Sequence, residues 1–246
     1  MEKIYIKGRP DGLGNRMEQL INLEYFSSIH NLKFVYYWNN IGAQQRDNFK
    51  IDFNSKNIEI KYFNHQKNTI TFENSIYKIR DKINVNKEKI LKCASNIQPD
   101  FNINIPENII TVHLRGTDRI SAGNHPHFMK SQKEYEYYID CAFKKVCEIK
   151  PSFIFVCGDN KVEVDKFKNR IKNNTDIDIF ELNNEENIQK PILDFFAITK
   201  TKMVIMATKF SSFSACAAMI GNIPILSKNH DQKNIVSRYP NYWVKF

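Results

Sequence analysis

The chain has no pair of cysteines in a CxxC arrangement. Its five cysteines, Cys93, Cys141, Cys147, Cys157 and Cys216, are odd in number, and three of them lie inside apolar runs. A disulfide framework and a thiolate zinc site are thereby set aside, and the thiols are expected to be reduced core residues. No stretch of about 18 uncharged apolar residues occurs, so no membrane span is expected. The richest window, 203–226, is interrupted by Lys209 and a serine-rich turn. The opening MEKIYIKGRP carries no apolar signal core, and the expected location is cytoplasmic. No lysine or arginine run dominates. Lys and Arg total 36 against 27 Asp and Glu, a formal net charge of +9. The basic residues are interspersed with acids along each helical stretch, as on a solvated surface. Such a charge attracts anions without choosing among a nucleotide, a nucleic acid and an acidic membrane. Nucleic acid is the weakest of these, because there is no basic helix and no basic strand interleaved with aromatics. The one DxD, Asp176 to Asp178, alternates within an expected strand, so its carboxylates are read as facing solvent and no metal site is read. No internal repeat is found.

What remains is an ordinary globular composition, 42% hydrophobic and 26% charged over 246 residues, enough for one large α/β domain or two small ones. KIYIK (3–7) reads as a strand, GRPDGLGNR as a glycine-bearing loop, the following stretch as a helix and KFVYYW (33–38) as the next strand. Residues 39–105 are polar, with strand-like IEIKYF and NTITF and a helix near 85–95. The Pro-bearing NIQPDFNINIPEN is read as a linker. Beyond it strands and helices alternate through IITVHL, SFIFVCGD, DIDIFEL, MVIMAT and IPILS, which argues for a parallel, doubly wound sheet. The expected architecture is therefore α/β, two Rossmann-like lobes with parallel sheets facing a cleft. Residues 1–105 are expected to form the first lobe, 106–232 the second, and 233–246, which contains NIVSRYPNYWVKF, to cross back to the first.

Three strand ends carry polar residues suited to phosphate. In GRPDGLGNR, Gly12 and Gly14 would let backbone amides approach a phosphate at a helix start, or simply make a tight turn; Asp11, Asn15 and Arg16 crowd the same loop. In HLRGTD, Arg115 lies beyond a strand end, where a guanidinium pairs bidentately with phosphate oxygens. His113 is either a hydrogen-bonding group for a base or a satisfied core histidine, and Asp118 and Arg119 either belong to the site or form a surface pair. In SSFSACAAMIGN, Ser211, Ser212 and Ser214 open a helix that Gly221 closes, binding phosphate or capping the helix. Asp194 in PILDFFAITK caps its helix or accepts hydrogen bonds from a purine. Gly158 and Asp159 occupy another strand end.

The order and wording of these elements resemble the fucosyltransferase superfamily that includes α1,2-, α1,6- and protein O-fucosyltransferases. GLGNR resembles its first-lobe glycine loop, HLRGTD its HxRRxD motif, FVCGDN its third strand end, and DFFAITKTKMVIMATKFSSFS its final segment. The resemblance covers the first thirty residues and most of the second lobe. It implies a GT-B-like, metal-independent, inverting glycosyltransferase that needs no cofactor and uses a GDP-linked sugar. It further implies that Arg115 holds the β-phosphate and that His113 and Asp194 contact guanine. Ser211, Ser212 and the Phe213 amide would hold the diphosphate, covered by Gly12, Gly14 and Asn15. The implied partners are a GDP-sugar and a glycan acceptor, with no nucleic acid, in cell-surface polysaccharide assembly at the periphery of the inner membrane.

Two positions depart from the pattern. Gly116 stands where the motif has its second arginine, and Gly123 where the α1,6 branch has a glutamate. An inverting displacement needs a base on the acceptor hydroxyl. Some protein O-fucosyltransferases place a carboxylate just before the loop glycine, which matches Asp11; His125 and His127 are the alternatives. The lost arginine and short first lobe also suit a non-catalytic sugar-nucleotide or glycan-binding module.

Overall fold

The computed structural model describes residues 3–8, 12–38, 53–55, 57–62, 85–116, 120, 128–184, 188–228 and 243–246. Two compact units emerge. One comprises Met1–Asn102 with Gln189–Ile192, the other Ile103–Ile188 with Leu193–Phe246.

In the first unit β1 (Lys3–Lys7), β2 (Lys33–Trp38) and β4 (Ile58–Tyr62) form a parallel sheet in the order β1-β2-β4. Helix α1 (Leu13–His30) makes the crossover from β1 to β2, the connection that parallel neighbours require. A small antiparallel pair joins β3 (Phe53–Asn54) to β5 (Gln98–Pro99), inside the expected linker, and α2 (Lys87–Ala94) packs on α1. Strand-like NTITF lies outside the described residues.

Helix α1 is buried almost all round and so must satisfy polar groups internally. Gln19 Oε1 accepts the Tyr36 hydroxyl at 2.8 Å, and Arg16 lies 5.1 Å over the Trp38 ring. The Glu24 carboxylate takes hydrogen bonds from the Ser55 hydroxyl and the Asn57 amide.

The second unit holds six parallel strands: β6 (Ile110–Leu114), β7 (Phe153–Gly158), β8 (Asp178–Phe180), β9 (Val204–Ala207), β10 (Ile225–Ser227) and β11 (Trp243–Val244). Their order is β11-β10-β9-β6-β7-β8. The chain begins in the middle of the sheet, builds outward through β7 and β8, and returns to build the other side from β9. That is the doubly wound dinucleotide-binding order, with the reversal between β6 and β9. Helices α3 (Gln132–Ile149), α4 (Lys161–Asn174), α5 (Lys190–Thr199) and α6 (Ser212–Gly221) form the connections.

Strand β6 is buried on both faces, and its alternation decides what each face does. Ile110, Val112 and Leu114 pack with Val146, Ile154, Phe167 and Ile205 in the main core. Thr111 and His113 point the other way, Thr111 to the Thr201 hydroxyl at 3.2 Å and His113 toward α6.

Two expectations need correction. The terminal run was expected to return to the first lobe, yet its described end, β11, extends the second sheet beside β10, because Trp243 and Val244 find ladder partners in Ile225 and Leu226. Gly14, Asn15 and Arg16 are not loop residues: α1 starts at Leu13, with Gly12 as an extended N-cap. Helix α6 ends at Gly221, as expected, and Asn222 after it takes the left-handed conformation (φ 50°). The missing side chain of Gly221 serves close packing, as a Cβ there would stand inside contact distance of the Thr199 carbonyl oxygen.

None of the five cysteines is in a disulfide, and Cys93, Cys157 and Cys216 are buried. Asp176 and Asp178 are exposed. Among the described residues no helix is long and apolar enough to cross a membrane.

Candidate functional site

In a doubly wound sheet the crevice outside the strand carboxyl ends, at the reversal of strand order, is the natural ligand position. Register places three such ends side by side, for Leu114 of β6 pairs with Gly158 of β7 and with Ala207 of β9. The residues that follow, Arg115, Asp159 and Thr208, therefore share one edge. Arg115 is half-buried there. The Gly116 N–H donates to Asp159 Oδ1 at 3.2 Å, which ties the turn after β6 to the turn after β7.

His113 is buried one residue before the strand end. Its ring stacks on Phe213, with centroids 5.1 Å apart and planes at 15°, and its Nδ1 lies 3.1 Å from Ser214 Oγ. Phe213 in turn meets Phe195 edge to face at 5.1 Å, a favourable aromatic geometry. His113 and Phe213, both expected at the site, are thus brought together, and Phe195 and Ser214 lock them.

Asp194, beside Phe195, is 5% exposed. It lies more than one turn into α5, so it is not that helix's cap.

Ser211 occupies the N-cap position of α6, with Ser212 and Phe213 in the first turn. The helix presents its amino-terminal amides and positive dipole end here. A capping serine would spend its hydroxyl on an amide of that turn. Ser211 does not: it is 0% exposed, makes no side-chain cap, and its Oγ has no hydrogen-bond partner among the described residues.

A short segment, 128–131, borders the same edge. Lys209 Nζ donates to the Phe128 carbonyl at 3.3 Å and lies 3.6 Å from a Glu134 carboxylate oxygen, while the Thr208 hydroxyl meets Met129 Sδ at 4.0 Å. Ser131 caps α3 through the Glu134 amide at 3.2 Å. Behind the turn stand two tyrosines of α3 that sequence reasoning missed. Tyr135 has its pKa pushed up, first by burial and then by the negative charges of Asp159 and Glu163. Tyr138 is pushed up to about 12, again mainly by burial. Aromatic residues at helical spacing look like core in any sequence, so only the contact with Gly116 distinguishes Tyr135.

In the first unit Gly12 offers no side chain to cap α1, and its carbonyl accepts the Asn15 and Arg16 amides at 3.1 and 3.3 Å. Asp11, Asp118, Arg119, Gly123, His125 and His127 lie outside the described residues.

No protein-family model matches the sequence, and no curated protein matches it. Solved structures do share the fold. POFUT1 in complex with GDP-fucose aligns over 99% of this chain and 97% of its own, with 12% identity and a TM-score of 0.53. NodZ alpha-1,6-fucosyltransferase soaked with GDP-fucose aligns over 95% and 97%, with 15% identity and a TM-score of 0.55. Fucosyltransferase NodZ from Bradyrhizobium aligns over 94% and 97%, with 13% identity and a TM-score of 0.56. The α/β architecture expected from the sequence is the one these fucosyltransferases have.

Proposed function

We propose that this chain is a glycosyltransferase that moves fucose, or a related sugar, from a GDP-linked donor to a glycan acceptor. The observation that carries the reading is Ser211: a buried hydroxyl without a partner, at the amino end of a buried helix, beside the reversal point of a doubly wound sheet. Phosphate oxygens are the acceptors such a place suits. The fold shared with structures soaked or complexed with GDP-fucose supports the choice of nucleotide.

In this reading the α6 amino end, with Ser211, Ser212 and the Phe213 amide, binds the diphosphate. Arg115 neutralises the charge that develops on the β-phosphate as the glycosidic bond breaks. A fixed guanidinium would fill the role that a divalent ion fills elsewhere, so the reaction is proposed to be metal-independent. His113, held by Ser214 and Phe213, and Asp194 contact the base, for a carboxylate suits the N–H donors of guanine. Asp11 is proposed as the base that takes the acceptor's proton while its oxygen attacks from the opposite face of the sugar, inverting the anomeric centre. Assembly of a cell-surface polysaccharide from the cytoplasmic side of the inner membrane is the proposed setting.

The test is titration with nucleotide sugars followed by assay of GDP release. GDP-fucose, GDP-mannose and GDP-linked heptoses should bind, and a donor at a hundredfold excess over its Kd should stabilise the chain by ~2.7 kcal/mol. Preference for a UDP-sugar would overturn the reading. Gly116, which leaves a single arginine at the strand end, favours a second reading as a non-catalytic sugar-nucleotide module. Binding without GDP release in the presence of any glycan acceptor would establish it.

A further inference from the structure

Gly116 follows Arg115 directly and has no room for a side chain. A Cβ built there would lie 2.6 Å from Cζ of Tyr135 and 2.9 Å from each of its Cε atoms, so the phenol end of the ring lies across the space that a side chain at 116 would enter. Tyr135 is 2% exposed, and its hydroxyl has no hydrogen-bond partner among the described residues. The Gly116 N–H is held by Asp159, the Thr208 hydroxyl by Met129, and Lys209 by the Phe128 carbonyl.

A phenylalanine would fill the same volume without burying a hydroxyl that nothing in the chain accepts. Retaining the hydroxyl costs stability, and an unsatisfied buried donor at a ligand edge is explained when its partner arrives with the ligand. We propose that Tyr135 is an affinity-determining residue of the donor site, its hydroxyl donating a hydrogen bond to a phosphate or sugar oxygen of the nucleotide sugar from the space that Gly116 leaves open. The proposal rests on the GDP-sugar reading given above. Asp159 and Glu163 bear on the phenol and oppose its ionisation, which keeps it a donor. What reaches the donor from this position is then a neutral hydroxyl rather than a second cation.

The test compares wild type with Tyr135→Phe in two measurements, thermal melting without nucleotide and calorimetric titration with GDP and with GDP-fucose. The variant should melt at or above the wild-type temperature and bind about tenfold more weakly, the worth of one hydrogen bond to a charged group. A loss seen with both ligands assigns the acceptor to the diphosphate, and a loss with GDP-fucose alone assigns it to the sugar. Binding within twofold of wild type overturns the proposal and leaves the GDP-sugar reading intact. So does a variant that melts several degrees lower, since the hydroxyl would then be satisfied inside the chain. Wild type that binds neither ligand overturns the donor-site reading itself, and this inference with it.

Discussion

Ser214 Oγ lies 3.1 Å from Nδ1 of His113, a buried pair 101 residues apart in sequence. The contact fixes one ring nitrogen while Phe213 fixes the ring plane. Ser214→Ala should therefore cost about 1–3 kcal/mol by removing a buried hydrogen bond. If His113 contacts the donor's base as proposed, the substitution should also weaken GDP-sugar binding. Urea denaturation and calorimetry on the same variant measure the two effects.

Arg115 directly follows β6 and is itself followed at once by Gly116. If it holds the leaving diphosphate, Arg115→Ala should lower kcat by roughly 10²–10³, the usual consequence of removing one transition-state donor. Arg115→Lys should recover little of it, because an ammonium lacks the paired donors of the guanidinium. Steady-state kinetics of GDP release decide the matter.

Gly221→Ala would drive a Cβ against the backbone of Thr199, which cannot rotate away. A loss of about 2 kcal/mol or more is expected. A shifted midpoint of chemical denaturation with an unchanged slope would confirm it.

Glu24 is fully buried and held by Ser55 and Asn57, and Ser55 also accepts the Asn57 and Ile58 amides at 3.3 and 3.0 Å. Ser55→Ala should destabilise the first unit by about 1–3 kcal/mol, since it strips partners from a buried carboxylate and from two amides. Hydrogen exchange of α1 and β4 would report the loosening.

Tyr135 and Tyr138 both have pKa values raised above the ordinary phenol value, chiefly by burial, Tyr138 to about 12. The folded state therefore keeps protons that the unfolded chain releases near pH 10. Their contribution is complete below pH 10 and is lost as pH climbs toward 12, by roughly 1 kcal/mol per pH unit for each phenol. Tyr135→Phe should flatten that alkaline decline, which melting curves between pH 9 and 12 would record.

Much of this fold is visible in residue patterns. β1, β2 and α4 occupy KIYIK, KFVYYW and KVEVDKFKNRIKNN, the runs read from period alone. Alternation of strand and helix was enough to imply parallel sheets. Details governed by distant contacts were not visible. Gly14 reads as a loop glycine because glycine favours turns, yet tertiary burial of α1 carries the helix through it. Gly221 reads as a helix terminator, but the reason for glycine there is the Thr199 backbone. At the site, Ser211, His113 and Phe213 were accessible because each follows or ends a recognisable strand. Ser211 as a hydroxyl without a cap, and Tyr135 as the occupant of the space beside Gly116, depend on side chains brought together from far along the chain. No periodicity encodes them.

The pairing of β6 with β9 places the candidate phosphate edge between a strand made early in the second unit and one made near its end. A chain ending after β8 would carry Arg115 but not Ser211 and Ser212, so on the proposed reading it would lack half of the phosphate site. If the proposed donor binds there, it should stabilise the complete sheet selectively over any fragment that ends before α6.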